Sequence, residues 1–162
     1  MAAASDTIEA QHAAARALLC DYAGVLDDGP LEQWPTFFTD PCLYRITTRD
    51  NERRGFPLSI MLCDSRAMLY DRVEATEKAN IFEPHTYRHV LSESRVTSAA
   101  DGLLRMRTSF MCARTMRDGD LILFATGVYV DEIVSVSGQY RFRSKTVILD
   151  QSRIDTLIAI PL

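Results

Sequence analysis

A chain of 162 residues, 47% hydrophobic and 25% charged, fits one globular domain with a substantial core and excludes a disordered or low-complexity chain. The net charge of −4, with no basic block, argues against nucleic acid, and no run of about 20 apolar residues offers a membrane span. Residues 1–7 lack the features of a secretion signal, and Cys20, Cys42, Cys63 and Cys112 make no C-x-x-C pair, so reduced thiols and a cytoplasmic location are expected.

Asp6 with Glu9 three residues on predicts a helix start, with residues 1–6 expected to be disordered at the head of a single 1–162 domain. Ala15, Leu18, Leu19, Tyr22, Val25 and Leu26 form one apolar stripe at helical spacing. Asp28-Gly29-Pro30 ends that helix. Residues 31–38 predict a short helical turn interrupted at Pro35, and Cys42–Thr48 a strand. The charged stretch from Thr48 to Pro57 predicts a loop, and Leu58–Leu62 a short strand. Asp64 or Ser65 caps a second helix of about 15 residues. Met68, Leu69, Val73 and Thr76 are expected inward on it, with Glu74 and Lys78 paired on its wet side.

From residue 85 the period becomes two. Strands are predicted over 86–98, 103–116, 121–136, 139–149 and 154–160. Asp101-Gly102, Asp118-Gly119 and Ser137-Gly138 separate the first four, and Asp-Gly is a strong hairpin signal because a type I′ turn needs positive φ at both central residues. In 103–116 the even positions Leu104, Met106, Phe110, Cys112 and Met116 are apolar, while Arg105, Arg107, Ser109 and Thr115 fall on the other face. The whole predicts an α+β cone, with N-terminal helices packed into a strongly curved antiparallel sheet.

A Rieske cluster needs two Cys and two His, and a mononuclear iron site two His and a carboxylate. The chain offers His12, His85 and His89, with no Cys near a His. On a strand, His85 and His89 stand about 13 Å apart, too far for one ion. No catalytic, cofactor-binding or metal residue is therefore assigned. A stand-alone dehydratase or isomerase working in the cone would use His85 or His89 with Asp21 or Asp64, helped by Tyr22, Tyr44 or Tyr87. The plainer reading is a satisfied core or interface histidine. A cone that binds a small molecule without chemistry is a third possibility. No G-x-S-x-G and no Gly-rich phosphate loop is present.

Gln33-Trp34-Pro35-Thr36-Phe37-Phe38-Thr39, Tyr44 to Asn51, Asp64-Ser65 with Met68-Leu69 and Asp71-Arg72, Ala79-Asn80-Ile81, Tyr87-Arg88-His89, Asp155-Thr156-Leu157 and Pro161-Leu162 occur in this order. In that order they resemble the small (beta) subunits of aromatic-ring-hydroxylating dioxygenases. The likeness is nearest to the branch acting on aromatic carboxylates such as terephthalate, anthranilate or salicylate. The resemblance implies a cone-shaped NTF2-like or SnoaL-like fold in a non-catalytic structural subunit serving aromatic catabolism. It implies a large (alpha) partner, as α3β3, that holds a Rieske [2Fe–2S] cluster and mononuclear Fe(II). Electrons would come from NAD(P)H through a reductase, sometimes with a ferredoxin. Of 18 basic residues only Lys78 and Lys145 are lysines, and arginine is the cation enriched at interfaces, although codon bias produces the same lopsidedness. The subunit interface is expected at Trp34, Arg45, Arg49, Asp50, Asn51, Tyr87, Arg88, His89 and Leu162.

Overall fold

The computed structural model describes residues 2–78, 83–154 and 158–162, with side chains from residue 8 onward. The Ala79-Asn80-Ile81 and Asp155-Thr156-Leu157 segments lie outside the described residues. Helix α1 runs Ala2–Asp28. A 3₁₀ turn at Leu31–Phe37 follows, then β1 (Phe38–Thr48), α2 (Arg49–Arg54), β2 (Met61–Cys63) and α3 (Arg66–Lys78). The chain ends in β3 (His85–Leu91), β4 (Arg95–Ala100), β5 (Leu103–Met116), β6 (Leu121–Val136) and β7 (Gln139–Leu149), before the segment that reaches Leu162.

The strands form one seven-stranded sheet in the order β2-β1-β7-β6-β5-β3, with β4 also on β5. It is mixed rather than antiparallel. β1 lies parallel to β7, with Tyr44 opposite Lys145, whereas β5, β6 and β7 form an antiparallel meander. A parallel pair needs a long connection. Here the rest of the sheet supplies it, which no local pattern could signal. At Gly127 in β6 an added Cβ would sit 2.2 Å from the carbonyl oxygen of Ile148, so the sheet closes there only over glycine.

Several predicted boundaries move for local reasons. The expected 48–57 loop contains α2. Thr48 caps it by accepting the Asn51 N–H at 3.2 Å, and Gly55 closes it in the left-handed region at φ 65°. The expected 86–98 strand breaks between β3 and β4. There Ser92 accepts the Ser109 N–H at 3.0 Å and Ser94 accepts the Thr108 hydroxyl at 2.8 Å, so serine side chains take over from the ladder. The 154–160 strand is absent among the described residues. Asp101-Gly102 and Ser137-Gly138 have positive φ at both residues, as type I′ turns require. Asp118-Gly119 does not: only Gly119 is positive, and Met116 and Asp120 close a wider loop.

The concave face of the sheet holds α1 through Ala15, Leu19, Tyr22 and Leu26, all buried. Trp34, Phe38 and Tyr44 meet edge-to-face beside them, with centroids 5.0–6.0 Å apart. Leu69, Val73 and Thr76 of α3 point inward as expected, but Met68 is 39% exposed. Ser65, one residue before α3, accepts the Met68 N–H, which places Met68 on the outer side of the first turn.

Candidate functional site

Two regions compete as the working part of the chain: the polar interior of the cone and the arginine-bearing surface. The interior is built where α1 crosses β3. His89 lies in β3 with its side chain enclosed. Its Nδ1 stands 2.6 Å from Asp27 Oδ1, and its backbone N–H donates to Asp27 Oδ2 at 2.9 Å. The carboxylate next to His89 is therefore Asp27, not Asp21, which is exposed on the other side of α1. The helical stripe held this information, because Leu19, Ala23 and Asp27 are spaced by four. His85 sits two strand steps beyond Tyr87, whose ring lies between the two imidazoles, and its Nδ1 meets the Glu83 carbonyl at 2.8 Å.

Tyr22 and Tyr44 converge on a backbone segment rather than on a void. Tyr22 donates to the Leu162 carbonyl at 2.8 Å and Tyr44 donates to it at 3.0 Å, while Tyr44 also accepts the Leu162 N–H at 3.0 Å. Burial pushes both phenols well above their ordinary range, so both stay protonated donors. Arg72 donates to the Ile158 and Ala159 carbonyls, and Thr76 donates to Ala159. Residues 158–162 thus fill the space beside Tyr22 and Tyr44. Surface clefts of about 580 and 460 Å³ are lined by neither Tyr22 nor Tyr44.

The sequence reading missed the deepest charges. Lys145 and Asp131 face each other in register across β7 and β6, both fully buried, with Nζ 3.1 Å from Oδ1. Three aromatic faces enclose the ammonium: Tyr129 at 3.7 Å, Tyr22 at 4.5 Å and Phe142 at 4.7 Å. Burial raises the Asp131 carboxyl and lowers the Lys145 amine, while their mutual attraction opposes both shifts. A usable signal existed: Asp131 alternates with Tyr129 and Ile133, and Lys145 with Val147 and Leu149, along inward faces.

Metal chemistry finds no matching donors here. Among the described residues no group of three or more His, Cys, Asp or Glu is close enough to hold an ion. His89 Nδ1 is paired with Asp27 at 2.6 Å, and His12 Nε2 meets the Ser94 carbonyl at 3.0 Å. Burial pushes the Cys42 and Cys112 thiols up to about 11 and about 12, so neither supplies a thiolate at neutral pH.

On the surface, the predicted interface residues divide. Trp34, Tyr87, His89 and Leu162 are buried in the chain's own core. Arg45, Arg49, Asp50 and Asn51 are partly or fully exposed around α2. Arg45 pairs with Glu52, Arg49 with Asp150, and Arg88 grips Asp28 through two bonds of 2.7 and 2.9 Å. No helix among the described residues is long and apolar enough to cross a membrane.

Residues 22–156 match the family described as ring hydroxylating beta subunit. The chain is 40% identical over 141 residues to subunit beta 1 of the terminal oxygenase component of terephthalate 1,2-dioxygenase from Comamonas sp., covering 87% of this chain and 92% of that one. It is 37% identical to the small subunit of anthranilate 1,2-dioxygenase from Burkholderia cepacia, over 87% and 88% of the two chains. The beta subunit assigned to an aromatic-ring-hydroxylating dioxygenase of Novosphingobium aromaticivorans superposes with a TM-score of 0.88 at 36% identity, covering 96% of this chain and 99% of that one.

Proposed function

We propose, from the premise that this chain belongs to the family of ring-hydroxylating beta subunits, that it serves an oxygenase acting on an aromatic carboxylate of the terephthalate or anthranilate type. It is a structural small subunit of a heteromeric ring-hydroxylating dioxygenase. The observation that carries the substrate class is the identity of 37–40% to small subunits named for those two acids.

The partner is a large oxygenase subunit, in an α3β3 assembly in the cytoplasm. The Rieske cluster and mononuclear Fe(II) sit in that partner and supply oxygen activation there, with electrons delivered from NAD(P)H by a reductase, with or without a ferredoxin. In support, most of the charged and phenolic groups inside the cone are paired within the chain: Asp27 with His89 Nδ1, Asp131 Oδ1 with Lys145, and Tyr22 and Tyr44 with Leu162, while His89 Nε2 and the Tyr87 and Tyr129 hydroxyls are enclosed without a hydrogen-bond partner among the described residues. Its role is to hold a rigid cone against the large subunit. The same commitments speak against a stand-alone dehydratase. His89 with Asp27 has the spacing of a general-base pair, but residues 158–162 occupy the space beside Tyr22 and Tyr44.

Co-expression with the cognate large subunit, followed by native mass, iron content and turnover of terephthalate and anthranilate, tests the proposal. The expected result is a hetero-oligomer with iron in the large chain, and hydroxylation only when both chains and a reductase are present. Turnover by this chain alone, or stoichiometric iron in it when isolated, overturns it.

A further inference from the structure

Phe56, Leu58, Ile60 and Leu62 alternate along the approach to β2 and through it, and each is between 45% and 62% exposed. β2 is the terminal strand of the sheet. An apolar ridge on an edge strand invites indiscriminate pairing, and proteins keep one only where something covers it. Beside the ridge lies the cleft of about 580 Å³, walled by Phe56, Ile60, Ile154 and Ile158 and rimmed by Asp50, Asn51 and Arg54.

The charge around the ridge points to what covers it. Residues 45–54 contain four arginines and two carboxylates, a local +2 in a chain of −4. Arg45 and Arg49 are spent on Glu52 and Asp150. Arg53 and Arg54 make no ion pair among the described residues, nor does Asp50, so the unspent charge is two cations against one carboxylate, and the Arg54 guanidinium lies 6.0 Å from the Phe56 ring. A symmetric contact between two copies through this face would set these cations against each other. A partner with apolar side chains flanked by carboxylates would satisfy both features. Another exposed apolar run, Leu121 to Leu123, follows Arg117, Asp118 and Asp120, a net −1, and so has no cationic border.

We propose that the Phe56–Leu62 ridge, with Arg53 and Arg54 at its border, is the surface on which the large oxygenase subunit docks, through an apolar segment flanked by acidic residues. This rests on the subunit role argued above and goes further, since it assigns the contact to one edge of the sheet and gives the partner's segment its chemistry.

The test uses the full chain and the cognate large subunit, with association measured by sedimentation and native mass. Leu58→Asp with Ile60→Asp is expected to weaken association at least tenfold, while circular dichroism and the unfolding midpoint of the isolated chain stay at wild type, because both side chains are already exposed. Arg53→Glu with Arg54→Glu is expected to weaken it too and to flatten its salt dependence. Leu121→Asp with Leu123→Asp is the control and is expected to bind as wild type. Wild-type affinity in the Leu58/Ile60 variant overturns the docking surface. So does loss of self-association alone, which would make the ridge a contact between copies, and so does loss of binding in the control. A wild-type chain that binds no iron-bearing subunit overturns the proposed function as well, so the two failures are told apart before any variant is made.

Discussion

The interior of the cone and the rim around β2 reverse the usual distribution of side chains. Inside lie an ammonium, two carboxylates, an imidazole and two phenols that contact one another or the backbone: Lys145 with Asp131, His89 with Asp27, and Tyr22 and Tyr44 with Leu162. Outside lie Phe56, Leu58, Ile60 and Leu62, exposed at the sheet edge. Buried polar groups persist where partners satisfy them, and exposed apolar ridges persist where another molecule covers them. The polar interior therefore acts as internal bracing and the apolar rim as a contact surface, the division expected of a subunit that holds a shape for another chain's chemistry.

The sharpest way to break this contrast is to unpair the deepest charge. Asp131→Asn leaves the Lys145 ammonium without its carboxylate, and removing one partner of a buried pair costs about 3–5 kcal/mol. Replacing both, with Asp131→Leu and Lys145→Met, is expected to restore most of that stability or exceed the wild type, because a well-packed apolar pair carries no desolvation cost. Urea unfolding of the isolated chain measures both. A single variant as stable as the wild type would show that the pair is not bracing. The next effect down is at the phenols. Tyr22→Phe removes one hydrogen bond to Leu162 and Tyr44→Phe removes two, so each is expected to cost about 1–3 kcal/mol, with Tyr44→Phe the larger, because buried backbone groups lose a partner. Proteolysis of residues 158–162 should accelerate alongside.

His89 separates bracing from chemistry. His89→Ala is expected to cost roughly 1–3 kcal/mol in the isolated chain, through the lost pairing with Asp27. His85→Ala, at a half-exposed strand end, should cost less. Complexes that do assemble should turn over at the wild-type rate with either variant. A fully assembled, iron-loaded complex that is inactive after either change would move the interior from bracing to catalysis.

Much of this was legible in the sequence, and what escaped did so for definite physical reasons. β5, β6 and β7 fall on their predicted residues, because long period-two runs between Gly-bearing turns encode both strand and register. The stripe on α1 identified the face that the sheet covers. Yet the carboxylate beside His89 is Asp27, one turn further along the same stripe, and not Asp21, a pairing that depends on how α1 crosses β3. Lys145 and Asp131 escaped because charge suggests solvent, and only register shows two opposite charges facing each other across a sheet. Trp34, Tyr87 and Leu162 were taken for interface because aromatic and terminal residues are common there. In the isolated chain all three are buried, and the exposed ridge at 56–62 spans the end of the expected 48–57 loop and the expected 58–62 strand.

The smallest expected effect lies on the sheet's outer face, where Glu132 bridges Arg105 and Arg143 at 3.0 and 2.8 Å. Partial burial raises its carboxyl, but the bonds from Arg143 and Arg105 outweigh that and hold it below its ordinary range. A carboxyl depressed in the folded state stabilises above its unfolded pKa, and that contribution fades as pH falls through the folded value. Glu132→Gln should therefore cost about 0–1 kcal/mol at neutral pH. The gap between the two proteins should begin to narrow as pH falls below about 4.3, where the unfolded carboxyl protonates, and should close as the folded carboxyl protonates at its lower value. Salt should close it too, since both guanidinium groups are about half exposed. An interior pair such as Lys145–Asp131 should show no comparable salt effect, because no counter-ion reaches it. Measuring both variants across a salt series thus separates charge that braces from charge that only decorates. Equal salt sensitivity at the two sites would collapse the distinction between inside and outside.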